Sequence, residues 1–310
     1  MRSLLQFVVR RLSFSAITIL GVAFIVVSLT KLLPGDPARV IAGVQADHVE
    51  VEKIRAKLRL DDGLLEQYGH FLASLVQGNL GMSARTGRPV TEEIASRLPY
   101  TVELAAVAVV VGTLLGAMLG VTAAVHHRRW PDLIASFAAV LTISVPGFWL
   151  ALMLILTLSV DLRWFPTSGA GSASAIVLPA ATLATFTTGL IARMTRAAML
   201  DVLRQDYVRT GYAKGLRSWV VIYKHALRNA AIPIVTVIGL QLGALMGGAI
   251  IVETIFSWPG IGRLLIQSIS ARDFPMMQGI VFVFAAIVVV VNLLTDLVYA
   301  AIDPRIVLND

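Results

Sequence analysis

The sequence predicts an all-α, polytopic membrane protein with six transmembrane helices. Three observations predict this fold class: an apolar composition, six long apolar runs, and an uneven distribution of basic residues among the segments that connect them. Hydrophobic residues make up 57% of the 310 residues and charged residues only 15%, which is too apolar for a water-soluble domain of this length. The chain has no cysteine, which excludes a disulfide framework, a thiolate nucleophile and a cysteine-ligated metal.

Each apolar run is close to or above the length that a helix needs to cross a hydrocarbon core of roughly 30 Å, at about 1.5 Å per residue. The first run follows Arg10 and Arg11 and is longer than the apolar part of a signal peptide, so we expect it to be retained. The turn Pro34-Gly35-Asp36-Pro37 ends it. The predicted spans are Leu12–Leu33, Val102–Val125, Leu133–Val160, Ile176–Ile191, Pro233–Phe256 and Gln278–Ala301.

Between the first two spans the chain is mixed in composition and predicts a small ordered segment beside the membrane. Apolar residues recur at helical spacing in Val49–Leu60, and we expect short helices at Leu64–Leu75 and Val90–Leu98 around a glycine-rich turn at Gly78–Gly87. The predicted organisation is an N-terminal end with the first helix (1–33), an extracytoplasmic segment (34–99), a core of five membrane helices (100–302) and a cytoplasmic tail (303–310).

The basic residues predict the orientation of the chain in the membrane. Segment 193–232 is rich in Lys and Arg, and so is the loop His126-His127-Arg128-Arg129, whereas residues 161–175 carry one Arg and residues 257–277 carry two. The positive-inside rule therefore places both chain ends and both basic loops in the cytoplasm. We attribute the net charge of +7 to the basic residues beside the apolar spans, which orient the chain in the membrane, and we exclude nucleic-acid binding.

Glycines one helical turn apart occur in two spans and predict close helix packing. Without side chains at these positions two backbones can approach and gain van der Waals contact that lipid tails cannot match. We expect a packing role for them rather than direct contact with a substrate. They are Gly112, Gly116 and Gly120 in the second span and Gly239, Gly243 and Gly247 in the fifth.

Pro146 interrupts the third span, and it predicts a kink because it leaves an upstream carbonyl without its helical partner. The kink is expected to face a cavity or another helix, an ordinary packing kink being the alternative. Ionisable residues in the spans, Glu103, Glu253 and Asp296, lie toward span ends, which disfavours a proton relay. Glu253 is either an interfacial carboxylate or a substrate contact.

Enzyme chemistry is not indicated. No GxxxxGK[ST] loop is present, so the chain does not bind ATP by the P-loop route. No Ser/His/Asp spacing stands out, and the histidines are scattered among loops.

Ordered motifs along almost the whole chain resemble the membrane permeases of the peptide/nickel family of ABC importers, most nearly the dipeptide and oligopeptide B-type subunit. One departure is Gly211-Tyr212-Ala213, where importers at large have Glu-Ala-Ala. The motifs that carry the resemblance are Pro34-Gly35-Asp36-Pro37, Gln67-Tyr68, Gly78-Asn79-Leu80-Gly81-Met82-Ser83, Thr86-Gly87-Arg88-Pro89-Val90, Arg97-Leu98-Pro99, Glu103-Leu104-Ala105, Ser144-Val145-Pro146-Gly147-Phe148-Trp149-Leu150, Asp206-Tyr207-Val208-Arg209-Thr210, Ala213-Lys214-Gly215-Leu216, His225-Ala226-Leu227-Arg228-Asn229-Ala230, Ile232-Pro233, Glu253-Thr254-Ile255-Phe256, Trp258-Pro259-Gly260-Ile261-Gly262 and Asp303-Pro304-Arg305.

The resemblance implies a type I ABC importer permease fold and a noncatalytic subunit in the plasma membrane of a prokaryote. It implies that the chain forms half of a translocation pathway. The substrates would be dipeptides or oligopeptides that an extracytoplasmic binding protein delivers. A homologous second permease would complete the pathway within the lipid bilayer. No cofactor is expected in this chain, since ATP and magnesium would bind to two partner ATPase subunits.

The resemblance also assigns roles to residues. Segment 193–232 would contain the cytoplasmic loop on which the ATPase docks, through Tyr207, Arg209, Thr210, Ala213, Lys214, Gly215, Leu216 and Pro233. Gly215 would be needed either for its backbone angle or for close approach of the partner. A basic linker that contacts only lipid headgroups is the alternative. Candidates for the pathway or a gate are Pro146, Phe148, Trp149, Met246 and Glu253.

Several functions remain open from the sequence. Similar permeases of this family handle nickel complexes, glutathione and other small solutes, and selectivity is set largely by the binding protein. A proton-coupled secondary transporter and a noncatalytic membrane scaffold are alternatives of a different class.

Overall fold

A computed structural model of the chain describes residues 2–32, 37–42, 46–57 and 60–302. The predicted turn at Pro34-Gly35-Asp36, the Asp303-Pro304-Arg305 motif and the tail 303–310 lie outside the described residues. In the described ranges the secondary structure is helical apart from an isolated antiparallel bridge between Met82 and Pro89, which confirms the all-α class. The α-helices are α1 (Arg2–Leu32), α2 (Pro37–Ala42), α3 (His48–Lys57), α4 (Leu64–Val76), α5 (Val90–Val125), α6 (Trp130–Ser144), α7 (Gly147–Leu154), α8 (Val177–Leu203), α9 (Asp206–Ala213), α10 (Leu227–Ile255), α11 (Ile261–Ser270) and α12 (Phe274–Ile302).

Within the described residues, 5 helical segments are long and apolar enough to cross a membrane, or up to 6 if one bent helix pair counts as a span. The bent pair is α6 with α7 and its π-helical continuation to Asp161, and it corresponds to the predicted third span. The predicted number of spans therefore holds when this pair is one span. The other segments are Val8–Ser28, Val90–Val125, Ala173–Leu203, Val220–Ile255 and Phe274–Leu297.

Two prolines that were predicted to lie at helix boundaries lie inside helices. Pro99 is within α5, so the expected short helix Val90–Leu98 and the second span form one continuous helix. Pro233, expected to open the fifth span, is within α10, which follows directly on the π-helical turn Val220–Ala226. Proline removes one backbone donor from each helix, but neighbouring groups can satisfy the freed carbonyl in a packed membrane bundle.

Two loops contain more helix than their composition suggested. Arg193 and Arg196 lie on α8, which extends well beyond the predicted end of the fourth span at Ile191. Helix α11, which was not expected, lies in the loop after the fifth span and buries Ile261, Leu264 and other residues of one face. The buried residues of α11 recur at helical spacing, so packing of this one apolar face stabilises the helix. With ten residues, α11 is too short to span the membrane.

The structure divides into two compact units, of which the first is built mainly from Val102–Trp258 with part of α1 and α12. Leu104 of α5, Leu178 of α8, Leu245 of α10 and Phe256 belong to one buried cluster in this unit. A second cluster includes Ile191 and Met199 of α8 together with Ala230 and Ile234 of α10. Helices α5, α8 and α10 therefore form the apolar framework of the unit.

The second unit is built from Val9–Thr101 and Pro259–Val290. Asp273, which is buried, holds a turn in this unit: its carboxylate accepts hydrogen bonds from the Ser83 hydroxyl, from Ala84 N at 3.0 Å and from Arg85 N at 3.3 Å. Ile261 N donates to Thr101 Oγ1 at 2.9 Å, which fixes the start of α11. The glycine-rich turn has positive φ angles at Gly78, Gly81 and Gly87, as expected for residues without a Cβ.

Candidate functional site

A cavity of about 350 Å³ lies in the first unit, between the end of α6, the start of α7, and helices α8 and α10. Its volume is within the range of small-molecule sites in proteins. Most of the lining is apolar, and the residues that line it include no ionisable side chain among those described. The lining residues are Thr142, Val145, Gly147, Phe148, Leu150, Thr182, Leu183, Thr185, Phe186, Gln241, Ala244, Leu245, Gly248, Ile251 and Val252.

Pro146 creates one wall of this cavity by breaking the third span. Val145 and Pro146 are extended, with ψ angles of 123° and 129°, and α6 and α7 meet at 98°. The backbone N–H of Leu150 donates to Pro146 O at 3.0 Å and starts the new helix. The sequence predicted a kink at Pro146. The structure has a full break between α6 and α7 at this position, because proline lacks the N–H that would continue α6.

Three threonines and one glutamine supply the polar atoms of the lining. The hydroxyls of Thr142, Thr182 and Thr185 donate to backbone carbonyls of their own helices at 2.8, 2.9 and 2.8 Å. Gln241 is the central residue of α10 and is only 6% exposed, and no hydrogen bond to another described residue is found for its side-chain amide. The amide of Gln241 is not among the fully buried polar atoms that lack a partner in the described residues, so it reaches the cavity that Gln241 lines.

The structure brings one of the five predicted pathway residues into this cavity. Phe148 lines it, while Pro146 forms the adjacent break. Trp149 is exposed and is not among the lining residues, and Met246 is buried outside the cavity. Gln241 and the threonines were missed, although polar residues at the centre of apolar runs were a usable signal.

Glu253 was predicted to be either a carboxylate near the helix end that a neighbour satisfies, or a substrate contact, and the structure places it in a buried environment. Its side chain is fully buried, on the last turns of α10 beside the apolar cluster that contains Val252, Phe256 and Trp258. Its backbone carbonyl accepts a hydrogen bond from Trp258 N at 2.8 Å. This burial results from tertiary packing, which the position of Glu253 in its span does not indicate.

Helix α9 carries four of the eight predicted docking residues and presents them outward. Tyr207 is exposed, and its hydroxyl accepts a hydrogen bond from Asn229 Nδ2 at 2.9 Å. The side chain of Arg209 is 79% exposed, while Val208 on the opposite face is buried. One face of α9 therefore packs on the unit and the other is free for a partner; Thr210, Ala213, Lys214 and Leu216 are exposed with it.

Gly215 ends α9 in a left-handed backbone conformation with φ of +75°. Its N–H donates to Tyr212 O at 2.9 Å, and Leu216 N donates to Gly211 O at 3.2 Å, which satisfies carbonyls at the helix end. A Cβ at Gly215 would have no atom within 4 Å. Within this chain, the backbone angle is therefore the reason for glycine.

The two glycine series differ in their surroundings. A Cβ at Gly112, Gly116 or Gly120 would lie within 3.0 Å of α8, for example 2.7 Å from Thr188 O at Gly116. At Gly239 it would meet Thr295 of α12. At Gly247 no atom lies within 4 Å, and Gly243 is half-buried. The first series thus touches α8, whereas Gly247 has no close contact within the described chain.

An ion pair ties the basic loop before α6 to α8. Arg196 binds Asp132 through two hydrogen bonds, Nε to Oδ1 at 2.7 Å and Nη2 to Oδ2 at 2.9 Å. Asp132 also accepts from Arg128 N at 3.0 Å and Ser136 Oγ at 3.1 Å. Such bidentate, charge-assisted bonds fix geometry as well as adding attraction, so this pair positions the α6 end of the broken span.

Comparison with known protein families identifies the chain. Residues 112–308 match the family described as "Binding-protein-dependent transport system inner membrane component", and residues 4–105 match the N-terminal family of the same membrane components. The chain belongs to the binding-protein-dependent transport permeases. It is therefore a noncatalytic, multi-pass inner-membrane component of an ABC importer, which works with a binding protein and ATPase subunits.

Curated relatives align along almost the full permease. The "Glutathione transport system permease protein GsiC" of Escherichia coli (strain K12) is 44% identical over 303 residues, which cover 98% of this chain and 99% of the relative. The protein of the same name from Salmonella choleraesuis (strain SC-B67) is 45% identical over 303 residues, which cover 98% of this chain and 99% of that relative.

Solved structures show the same fold. The MetNI methionine ABC transporter, in inward-facing conformations, matches with a TM-score of 0.59 at 17% identity, covering 68% of this chain and 96% of that chain. An amino acid ABC transporter crystallised with histidines matches with a TM-score of 0.51 at 20% identity, covering 69% and 94%. These matches confirm the ABC importer permease fold.

Proposed function

We propose that this permease forms half of the translocation pathway of an ATP-driven importer for glutathione or a peptide of similar size. The observation that carries the proposal is the 44% identity, over 98% of the chain, to permeases of a glutathione transport system. Glutathione is a tripeptide, so this substrate remains within the peptide class that the motifs indicate. The relatives favour it over general dipeptide or oligopeptide transport.

The cavity beside Pro146 supports a role in the pathway. A solute must cross the bilayer through a space that protein side chains line, and this cavity lies among the membrane helices α6, α7, α8 and α10. Phe148, Phe186 and Ile251 on its lining are exposed in the isolated chain. A homologous second permease is expected to cover them and complete the pathway.

Helix α9 is the proposed contact for an ATPase subunit. It is short, outward-facing and capped by Gly215, and it follows directly on α8, a wall of the cavity. Closure of two ATPase subunits around ATP and magnesium would move α9, and the packed helices would convert that motion into alternating access. No cofactor is assigned to this chain.

The basic segments support a defined orientation. Both chain ends and the loops around 126–129 and 193–232 are proposed to be cytoplasmic, and residues 34–99 extracytoplasmic. The organisation into a first helix (1–33), an outer segment (34–99), a five-helix core (100–302) and a tail (303–310) belongs to the same proposal.

Reconstitution of the permease with its partner permease, ATPases and binding protein in proteoliposomes tests the function. We expect uptake of radiolabelled glutathione that requires internal ATP, and weaker uptake of unrelated dipeptides. Uptake by the permease alone, driven by a proton gradient, would instead show a secondary transporter. ATP-dependent import of dipeptides without glutathione would return the substrate to the general peptide class.

A further inference from the structure

The polar chemistry of the cavity is specific although no charge is present in its lining. The threonine hydroxyls of Thr142, Thr182 and Thr185 already donate to their own helices, so toward the cavity each offers only oxygen lone pairs. Gln241 differs, because its amide reaches the cavity and retains both its donor and its acceptor capacity with respect to the described residues. The lining therefore provides several acceptors and one complete amide.

The group that complements such a lining is another amide. Its carbonyl accepts from Gln241 Nε2 while its N–H donates to Gln241 Oε1 or to a threonine oxygen. Among the described residues of the lining, a carboxylate would find no cation and an ammonium would find no anion, so the cavity complements the uncharged amide of a peptide and not its charged groups.

We propose that this cavity is an amide-recognition site for the solute in transit, with Gln241 as its specificity-determining residue. This proposal rests on the proposed function, since it names the part of a peptide that the pathway recognises. A neutral amide pair discriminates peptides from other solutes but does not hold them tightly. The absence of charge along the cavity is consistent with passage, because a strong ion pair would trap the substrate in the membrane.

A partner permease could offer a second explanation, in which Gln241 bonds to a side chain of that subunit. The two explanations differ in one measurable respect. An amide bonded to the partner stabilises the assembled complex whatever the substrate, whereas an amide bonded to the solute affects only solutes that carry the matching group.

The test measures uptake by the complete reconstituted importer for two probes. One is glutathione, and the other is its analogue in which ester oxygens replace the nitrogens of both amide bonds. The variant is Gln241→Met, which keeps the length of the side chain and removes the amide. The matched control is Leu240→Met, at a neighbouring position that is 65% exposed and outside the cavity.

We expect Gln241→Met to lower the maximal rate of glutathione uptake roughly three- to tenfold, the range for loss of one or two hydrogen bonds. The KM, set by the binding protein, should change little. The rate for the ester analogue should fall less than the rate for glutathione, because the ester keeps the carbonyl that accepts from Gln241 Nε2 and lacks only the N–H donor. The variant therefore loses most of the preference of the wild type for the amide. Gln241→Asn, which keeps an amide on a shorter side chain, should restore part of that preference. Leu240→Met should behave as wild type.

Equal losses for amide and ester in Gln241→Met would overturn the assignment and place Gln241 in assembly. An unchanged preference, or poor assembly in both Gln241 variants with normal discrimination per assembled complex, would also overturn it. If the wild-type complex imports neither glutathione nor other peptides, the proposed function itself fails. Rates are therefore normalised to intact complex, measured by its yield and its basal ATP hydrolysis.

Discussion

At the scale of single residues, Gly215 ends the proposed ATPase contact α9 through its backbone angle. Its φ of +75° lies in the left-handed region, where a residue with a Cβ is disfavoured by roughly 1–2 kcal/mol. The carbonyls of Gly211 and Tyr212 are satisfied only when the chain turns at this point. Replacement therefore affects the end of α9 and not the membrane helices.

We predict that Gly215→Val leaves the complex at least partly assembled while binding-protein-stimulated ATP hydrolysis and uptake fall together. Gly215→Asn should retain more activity, because asparagine tolerates the left-handed region better than other residues with a Cβ. Arg209→Gln removes an exposed charge on the same helix and keeps the backbone angle, so it is the comparison: a loop that contacts only lipid headgroups would respond to Arg209→Gln and would tolerate Gly215→Val. Undiminished uptake per complex in the valine variant would leave α9 as a surface loop.

The Arg196–Asp132 pair is the second residue-scale prediction. The Arg196 side chain is 31% exposed and that of Asp132 is 8% exposed. The loss of stability on breaking this ion pair should therefore lie between the losses for surface and for buried pairs, at about 2 kcal/mol. We expect Asp132→Asn and Arg196→Gln each to lower the thermal midpoint of the purified complex. In the double variant the losses should not add, because both remove the same interaction.

Additive losses in that double-mutant cycle would show that the two side chains act independently. The pair Arg209 and Asp206 on α9 serves as a comparison, since both side chains are mostly exposed and their closest atoms are 3.9 Å apart. Removing it should leave the thermal midpoint unchanged.

At the scale of elements, helix α5 packs against α8 by omitting side chains. At Gly116 a Cβ would lie 2.7 Å from Thr188 O and 2.8 Å from Ile191 Cβ, and the backbone carbonyl cannot move without shifting α8. Adding atoms to such a contact typically costs 1–3 kcal/mol. The spacing of the glycines along α5 therefore sets the distance between the two helices.

We predict that Gly116→Ala lowers the yield and thermal midpoint of the permease, and that Gly116→Leu abolishes assembly. Gly247→Ala is the matched control: it is also a glycine in a membrane helix, but its Cβ would meet no atom within 4 Å. There the change should be neutral or slightly stabilising, because alanine favours helix by about 1 kcal/mol over glycine. The same loss in both variants would contradict the packing difference between α5 and α10.

The sequence predicted elements better than their junctions. Apolar runs and glycine spacing located the membrane helices, because both are properties of the helix itself. The helix boundaries predicted at Pro99 and Pro233 were wrong, because proline is locally unfavourable in a helix but is tolerated where tertiary packing satisfies the freed backbone groups. The burial of Glu253 and the position of Gln241 in a cavity depend on which helices meet, and a single run of residues does not contain that information.

At the scale of the whole molecule, the proposed orientation in the membrane rests on the distribution of positive charges. The segments 126–129 and 193–232 concentrate basic residues, while 161–175 and 257–277 contain few. The outer segment 34–99 is too long for its charges to be decisive. Orientation is thus a property of the distribution of charge over the chain and calls for a measurement at several loops.

Single cysteines provide that measurement, because the native chain has none. Gln77, Ser172 and Ser218 are exposed positions in three different loops. In intact cells an impermeant thiol reagent should label Gln77→Cys and Ser172→Cys but not Ser218→Cys, and all three should react once the membrane is permeabilised. Since Ser218 lies between α9 and α10, its labelling from outside would place the proposed ATPase contact on the wrong side of the membrane and would refute the orientation and the coupling role of α9 together.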